Sequence, residues 1–373
     1  MTRTTIVIAS VLKPVYEPRM YEKIAITLSK NRDAFIHVIG YGTADQTQDH
    51  TIQTYGLGTF KRLSFKRLLA PYYVLRLLFK LRPAVAIACT HELLVPFFLY
   101  KLLHPSVKLV YDLQENYYLN ILHTKAFPAV FRWPLAAWVR MKERLMLPFF
   151  AQVIAAENCY LYEMPFIRSK GLVIANKALV DPVVAEARRS AVLQERTCLL
   201  FSGTISAEYG IYEAIDLAEK LHSADPSFYL RIVGYCADQK EQKKLQQYIE
   251  RKYFVEALPF DQPVQHAQIL KAIREADWGL VAYRDNITTR NRIPTKLYEY
   301  ISHQLPVLCT TNPVWQELVT TYDAGLCINY QQTHIDLLIR LLKMPGFYRS
   351  QADLAELSWE REEKKLELVV GGQ

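Results

Sequence analysis

Lys296 and Glu299 have side chains suited to binding a nucleoside diphosphate, and they stand three residues apart, just after Pro294. Proline favours the first position of a helix, so we expect a helix to begin at Pro294 with both side chains on one face. A lysine near the N–H groups at a helix start can bind a diphosphate, and a carboxylate can accept hydrogen bonds from the two hydroxyls of a ribose. A surface salt bridge has the same spacing, so both interpretations stay open at this point.

A second candidate loop is Ser202–Gly203–Thr204, which follows a strongly apolar run. In open parallel sheets, ligands bind beyond the carboxyl ends of the strands, where loops lead into helices. Gly203 would let the backbone approach a phosphate closely. A plain turn between a strand and a helix is the alternative interpretation of this single glycine.

The elements that must position these residues alternate along the chain as short apolar runs and amphipathic segments. This order is typical of parallel sheets covered by helices. In the first half the pattern predicts a helix at 17–30 and strands at 4–11, 34–41, 85–90, 108–113, 152–156 and 172–176.

The alternation stops at 178–197 and then restarts, so two doubly wound domains with a cleft between them are predicted. The second half has expected helices at 211–224 and 240–252 and expected strands at 198–204, 228–235, 255–260, 278–283, 305–310 and 325–329. We expect an N-terminal domain over 1–180, a C-terminal domain over 181–345, and a helical tail over 346–373 that packs back across the hinge.

Composition excludes several classes of protein. Six cysteines with no C-x-x-C pair argue against a zinc ribbon, a redox motif or a disulfide framework, and are typical of a reducing cytoplasm. The first apolar run is followed by polar residues without a cleavage site, so we expect a strand and not a signal peptide. No stretch approaches the roughly 18 apolar residues of a membrane span. We therefore expect a cytoplasmic protein, soluble or peripheral on the inner face of the plasma membrane.

Positive charge is concentrated in the first half of the chain. Residues 1–180 hold 23 Lys/Arg against 11 Asp/Glu, whereas the remainder holds 22 against 26. Segment 60–82 has seven basic residues and no acid, and its apolar residues share one helical face, with Pro71 marking a break: Phe65, Leu68, Tyr72, Leu75 and Phe79. Such a helix either contacts an anionic membrane or buries this face against its own sheet. No nucleic-acid-binding motif is present.

The second half resembles family 4 glycosyltransferases of the GT-B fold. The similarity lies in two blocks, LLFSGTISAEYGIYEAIDLAEKLHSADPSFYLRIVGYC (199–236) and IPTKLYEYISHQLPVLCTTNPVWQELV (293–319). The second block resembles the P-x-K-x-x-E-Y…G-x-P-V segment of the family, in which the glutamate holds the nucleotide ribose. Glu299 occupies that position. The first half is similar more loosely, through EPRMYEKIAITLSK, THELLVPF, VYDLQENY and VIANKAL.

The resemblance implies a donor site and a catalytic site without metal or cofactor. His91 matches a His-Glu of the family and would face the donor sugar or the acceptor. Asp112 is a candidate on the acceptor side, and Arg19 a candidate for a phosphate contact. Structural roles are the alternatives for all three: a satisfied histidine, a helix-capping carboxylate and a surface arginine. The implied donor-binding residues are Arg292, Pro294, Thr295, Lys296, Glu299, Gly203 and Thr204.

This sequence departs from the family pattern at several positions. The family's Arg and Lys after the first glycine of the C-terminal domain correspond to Thr204 and Tyr209. The upstream glutamate of its E-x7-E pair is Asn291, and the histidine of its Y-D-x-H-E segment is Gln114. Either Lys296, Arg292 and Arg19 supply the missing positive charge, or the transferase site has lost its activity.

Three functions follow from these observations. The first is a retaining, metal-independent hexosyltransferase that moves a sugar from a UDP- or GDP-sugar to a glycan or lipid-linked acceptor in cell-surface polysaccharide synthesis. The second is a catalytically silent GT-B protein that acts as partner or scaffold of an active transferase. The third is a sugar-nucleotide epimerase of the same architecture, which the P-x-K-x-x-E-Y block disfavours.

Overall fold

A computed structural model describes residues 4–44, 49–60, 64–123, 127–180, 196–344, 346–350 and 352–371. The chain divides into two compact units, one formed by residues 1–176 with 362–373 and the other by residues 177–361. Most of the connection predicted at 178–197 lies outside the described residues.

The N-terminal unit is built on a parallel sheet of seven strands. Their order across the sheet is β3-β2-β1-β4-β5-β6-β7, and every neighbouring pair is parallel. The strands are β1 (Thr4–Pro14), β2 (Ala34–Tyr41), β3 (Ile52–Gly56), β4 (Val85–Ala88), β5 (Lys108–Leu113), β6 (Gln152–Ala155) and β7 (Gly171–Val173). The central strands are buried on both faces because helices cover each side, which explains their continuous apolar runs.

Helices of this unit connect the strands. A π-helical segment (Arg19–Ala25) runs into α1 (Ile26–Ser29). The others are α2 (Phe65–Leu81), α3 (Leu94–Leu103), α4 (Tyr117–His123), α5 (Ala129–Met146) and α6 (Tyr160–Glu163), with 3₁₀ turns at His91–Leu93, Leu147–Phe149 and Pro165–Ile167.

The C-terminal unit has a six-stranded parallel sheet in the order β10-β9-β8-β11-β12-β13. Its strands are β8 (Thr197–Thr204), β9 (Phe228–Tyr235), β10 (Val255–Ala257), β11 (Trp278–Val281), β12 (Val307–Thr310) and β13 (Gly325–Ile328). Its helices are α7 (Ile211–Ala224), α8 (Gln239–Ile249), α9 (His266–Glu275), α10 (Thr295–Ser302), α11 (Pro313–Thr321) and α12 (Ile335–Lys343), with 3₁₀ turns at Ala207–Tyr209 and Leu354–Leu357.

The final helix, α13 (Glu360–Gly371), contributes residues 362–371 to the N-terminal unit. There Glu363 accepts hydrogen bonds from Thr27 and Lys30, and Glu362 accepts one from the Ala175 N–H. The chain thus returns to its first unit after completing the second.

The two parallel sheets confirm the predicted fold class. One strand was missed and one local expectation was wrong. Strand β3 was missed because only one of its five residues, Ile52, is buried and they form no apolar run. Pro71 does not break the predicted helix: α2 runs through it, because Ala70, Val74 and Leu78 pack into the core on both sides of the proline and offset the lost hydrogen bond.

Candidate functional site

The first strand of the C-terminal unit ends in the predicted loop. Gly203 has φ +86°, a conformation that favours glycine, and Thr204 is exposed at the strand end. The chain then turns through Gly210, where a Cβ atom would lie 1.7 Å from the Ala282 carbonyl oxygen. Both glycines therefore allow the backbone to fold tightly against the end of the sheet.

Helix α10 lies against this loop and begins one residue later than predicted. Pro294 precedes the helix as its cap, with ψ 136°, and Thr295 is its first residue. Tyr300 anchors the helix, because its hydroxyl lies 2.8 Å from Ser202 Oγ and accepts a hydrogen bond from the Ser202 N–H. Gly279 leaves room for the Tyr300 ring, since a Cβ there would lie 2.4 Å from it.

The Lys296 ammonium is buried at the end of β8. The residue is 6% exposed, and no hydrogen-bond acceptor in the described part of the chain reaches its Nζ. Two rings face the ammonium, Phe201 at 4.3 Å and Tyr283 at 5.3 Å from Nζ to the centroid. Its stem passes Gly203, where an added Cβ would lie 3.8 Å from Cε. The surface salt bridge considered above is thereby excluded for Lys296.

Burial lowers the pKa of Lys296 to about 7, and the negative charge of Glu299 only partly opposes this effect. An ammonium without hydrogen-bond acceptors is costly to bury, even over aromatic rings. A bound anion would remove that cost and raise the pKa again. The residue therefore has the properties of a cation that binds an anionic ligand.

Glu299 is 12% exposed and is held by a residue that the sequence did not suggest. Its Oε1 lies 3.1 Å from Nε2 of His266, the first residue of α9. Because His266 stands 33 positions earlier, only the tertiary structure shows this contact. The bond orients the carboxylate one turn along α10 from Lys296.

The remaining predicted donor residues lie around this centre. Arg292 is partly buried in the turn before α10, and its carbonyl accepts a hydrogen bond from Trp315 Nε1 at 2.6 Å. Tyr209, which stands where the family has a lysine, packs its ring 4.6 Å from that of Tyr283. Aromatic surface thus occupies the place of the missing cation, next to Lys296.

In the N-terminal unit, two predicted catalytic residues bind each other. Arg19 is 1% exposed and Asp112 is fully buried, and Arg19 Nη2 lies 2.8 Å from Asp112 Oδ1. Arg19 also donates to the Ile174 carbonyl, and Gln114 donates to Asp112. Burial disfavours the guanidinium charge, but the Asp112 carboxylate outweighs this and raises the pKa of Arg19. This pair ties β5 and β7 to the π-helical segment, and Arg19 is not the surface arginine of the alternative interpretation.

His91 lies at the end of β4 in a different set of contacts. Its Nδ1 is 2.9 Å from Lys142 Nζ, and its ring packs against Tyr117. Burial lowers the pKa of His91 to about 4, so the ring is neutral at pH 7. An ammonium only donates, so Nδ1 accepts and the proton is on Nε2. In this tautomer the ring can donate a hydrogen bond to a ligand, but Nε2 cannot act as a base.

The N-terminal unit also contains a cavity of about 680 Å³ between α4, α5 and the loop after α6. Arg140 and Arg144 line it together with Asn116 and Glu163. Arg140 donates to Asn116 Oδ1 at 2.6 Å, and both guanidinium groups lie over the Phe166 ring. The sequence showed no signal for this cavity.

Comparison with known proteins supports the resemblance. Residues 184–357 match the model of the family Glycosyl transferases group 1. The chain carries a group 1 glycosyl transferase domain. This match confirms the family inferred from the 199–236 and 293–319 blocks and covers Gly203, Lys296 and Glu299. No curated protein matches the sequence.

Solved structures with the same GT-B architecture are similar to this protein over nearly the whole chain. Sucrose-phosphate synthase from Thermosynechococcus elongatus superposes with a TM-score of 0.71 at 14% identity, covering 99% of this chain and 98% of that one. Anabaena Alr3699/HepE in complex with UDP superposes with a TM-score of 0.66 at 16% identity, covering 99% of this chain and 100% of that one. UDP-GlcNAc 2-epimerase from Neisseria meningitidis superposes with a TM-score of 0.60 at 13% identity, covering 100% of both chains. At these identities the likeness establishes the fold alone.

Proposed function

We propose that this protein is a retaining glycosyltransferase that binds a UDP-sugar where the end of β8 meets the start of α10. The observation that carries this proposal is the buried Lys296 ammonium, which has no hydrogen-bond acceptor among the described residues and stands three residues before Glu299. A diphosphate would supply the acceptors that Lys296 lacks. The choice of UDP over GDP rests on the structural relative Alr3699/HepE, whose structures hold UDP and UDP-glucose.

Each residue has a distinct task in this proposal. When the bond between the anomeric carbon and the β-phosphate oxygen breaks, negative charge grows on the diphosphate. Lys296 and the N–H groups at the start of α10 stabilise that charge without a metal. The Glu299 carboxylate accepts hydrogen bonds from the ribose hydroxyls, and His266 fixes the orientation of this carboxylate. In the N-terminal unit, the neutral His91 can donate a hydrogen bond from Nε2 to the acceptor, which we expect to be a glycan or lipid-linked hydroxyl.

Calorimetric titration of UDP, GDP and their glucose esters without divalent metal tests the proposal. We expect UDP compounds to bind and Glu299→Ala to weaken them by about 10- to 100-fold, since a charged hydrogen-bond partner is lost. The matched control is Glu317→Ala on the neighbouring helix α11. Equal affinity of wild type and Glu299→Ala would contradict the assigned site, and tighter binding of GDP would contradict the choice of base.

A second candidate function, the silent partner of an active transferase, is favoured by Thr204 and Tyr209. Neither residue carries a positive charge. At the end of β8, Lys296 lies over the Phe201 ring, and Tyr209 packs against the Tyr283 ring. Slow release of free sugar from a UDP-sugar distinguishes the two candidates. Hydrolysis that Lys296→Met abolishes supports the transferase, whereas nucleotide binding without turnover of any nucleotide sugar supports the silent partner.

A further inference from the structure

Helices α2, α3 and α5 form a layer on the N-terminal unit. Helix α3 packs against both α2 and α5. The buried sides of α2 and α3 belong to the same core cluster as β1, β4 and β5, so these two helices cover the same face of the sheet. Their opposite sides face solvent. We call the outward sides of the three helices the α2–α3–α5 surface.

The α2 part of this surface is the aromatic face noted in the sequence. It was expected either to be buried against the sheet or to contact a membrane, and the structure excludes burial for four of its five residues. Ala70, Val74 and Leu78 make the core contacts of α2. Five large apolar side chains of α2 are instead 39–75% exposed: Phe65, Leu68, Tyr72, Tyr73 and Phe79.

Helices α3 and α5 enlarge the apolar area. Leu102 and Leu103 of α3 are 57% and 69% exposed. On α5, Trp133 and Trp138 are 68% and 56% exposed, whereas the three tryptophans of the C-terminal unit are at most 3% exposed. Monomeric soluble proteins rarely leave contiguous surfaces of this kind uncovered, and tryptophan is enriched where proteins meet the water–lipid interface.

The charges of the same helices have one sign. Helices α2, α3 and α5 carry nine Lys/Arg, and their single acid, Glu143, is fully buried. Lys66, Arg76 and Lys80 of α2 are exposed beside the apolar residues. A second copy of the chain would bring like charges together on this surface. An anionic layer with an apolar interior complements both the charge and the exposed rings.

We propose that the α2–α3–α5 surface docks the protein on an anionic lipid bilayer. Aromatic and leucyl side chains enter the headgroup region, and the lysines and arginines bind lipid phosphates. Met141 and Leu145 belong both to this surface and to the lining of the 680 Å³ cavity. Arg144, which is exposed and lines the same cavity, therefore lies where a headgroup phosphate arrives. The binding is interfacial, and none of the described helices is long and apolar enough to cross a bilayer.

Vesicle flotation of the full chain tests this proposal, with phosphatidylcholine vesicles and phosphatidylcholine–phosphatidylglycerol vesicles as the two arms. Wild type is expected to float with the anionic vesicles and to be released by salt. The double variant Trp133→Ala with Trp138→Ala is expected to lose about tenfold or more in vesicle affinity. Arg76→Gln with Lys80→Gln is expected to lose several-fold on anionic vesicles.

Matched controls come from the C-terminal unit. Tyr253→Ala removes an 88% exposed ring, and Lys271→Gln an exposed cation, both away from the surface; neither is expected to change flotation. Tryptophan emission adds a direct readout, since docking moves Trp133 and Trp138 out of water and shifts emission to shorter wavelength. Absence of wild-type binding, or equal flotation of wild type and the double tryptophan variant, would overturn the proposal.

Two further outcomes identify other occupants. Dimers that the double tryptophan variant abolishes, without vesicle binding, would assign the surface to a second copy of the chain. Equal binding to both kinds of vesicle would refute the role of the charges.

The inference does not depend on the proposed donor: UDP affinity measured on the same variants is expected to be unchanged. Failure of docking and failure of donor binding are therefore distinguishable.

Discussion

Each of the two sheets has a buried cation near the carboxyl ends of its strands, and the two cations have different surroundings. Arg19 of the N-terminal unit is joined to Asp112 by two-pronged hydrogen bonds and to the Ile174 carbonyl. Lys296 of the C-terminal unit faces aromatic rings and lacks a hydrogen-bond acceptor among the described residues. An ion pair whose hydrogen bonds are satisfied holds elements together, whereas a buried ammonium without acceptors can bind an anion.

This difference changes how the predicted site residues are ranked. The sequence predicted Arg19 and Asp112 as catalytic residues and Lys296 as a donor-binding residue. The buried contacts of Arg19 and Asp112 favour a structural role, and their catalytic role stays a prediction. The following substitutions test the contrast, in order of the expected effect.

Removing the carboxylate of the satisfied pair has the largest expected effect. Asp112→Ala leaves the Arg19 charge buried with fewer partners, so the free energy of unfolding is expected to fall by about 3–5 kcal/mol. Urea denaturation measures this. Glu115→Ala breaks the half-exposed pair with Lys13 and serves as control, with an expected loss within about 1 kcal/mol. A stable Asp112→Ala protein that lacks turnover would instead support the catalytic role.

Lys296→Met is expected to act in the opposite direction on stability. The folded-state pKa of about 7 lies below the ordinary value of 10.5, so burial of this charge destabilises the protein at neutral and acidic pH. The melting temperature is expected to rise by roughly 2–4 °C for each kcal/mol recovered, while UDP affinity falls about 10- to 100-fold. Lys271→Met, at an exposed position of α9, is expected to change neither value. A lower melting temperature would mean that Lys296 stabilises the ligand-free fold.

The pH dependence of UDP binding follows from the same group. Without ligand, Lys296 loses its proton as pH rises through about 7, and a bound diphosphate raises its pKa, so binding takes up a proton above that pH. Above pH 7 the affinity is expected to fall by up to about tenfold per pH unit. The Lys296→Met protein is expected to lack this dependence. A wild-type affinity that stays constant from pH 7 to 9 would show that Lys296 does not receive the anion.

The smallest expected effect is at the positioning residue His266. His266→Ala leaves Glu299 in place but frees its carboxylate to rotate, so UDP affinity is expected to fall about three- to tenfold. His266→Gln, which keeps a donor, is expected to recover part of the loss. The exposed His334→Ala is the control. An unchanged affinity of His266→Ala in calorimetric titration would show that α10 alone orients Glu299.

Much of the fold was predictable because strands buried on both faces leave long apolar runs. Strands β2, β5 and β9 were predicted with their observed bounds. Strand β3, with a single buried residue, and the continuity of α2 through Pro71 were not predicted, since both depend on neighbours distant in sequence. The donor residues were predictable because they lie within two short blocks.

The sequence alone determined the resemblance of two blocks to a glycosyltransferase family, the parallel sheets and the proximity of Lys296 to Glu299. The resemblance follows from motifs within each block, and the rest follows from local spacing and apolar periodicity. Only the tertiary structure decided which charges are satisfied. Contacts across 93 positions neutralise Arg19, and rings from β8 and the loop after β11 surround Lys296. It also decided which face of α2 is buried. Burial and hydrogen bonding depend on elements that meet only after folding, so spacing along one segment cannot reveal them.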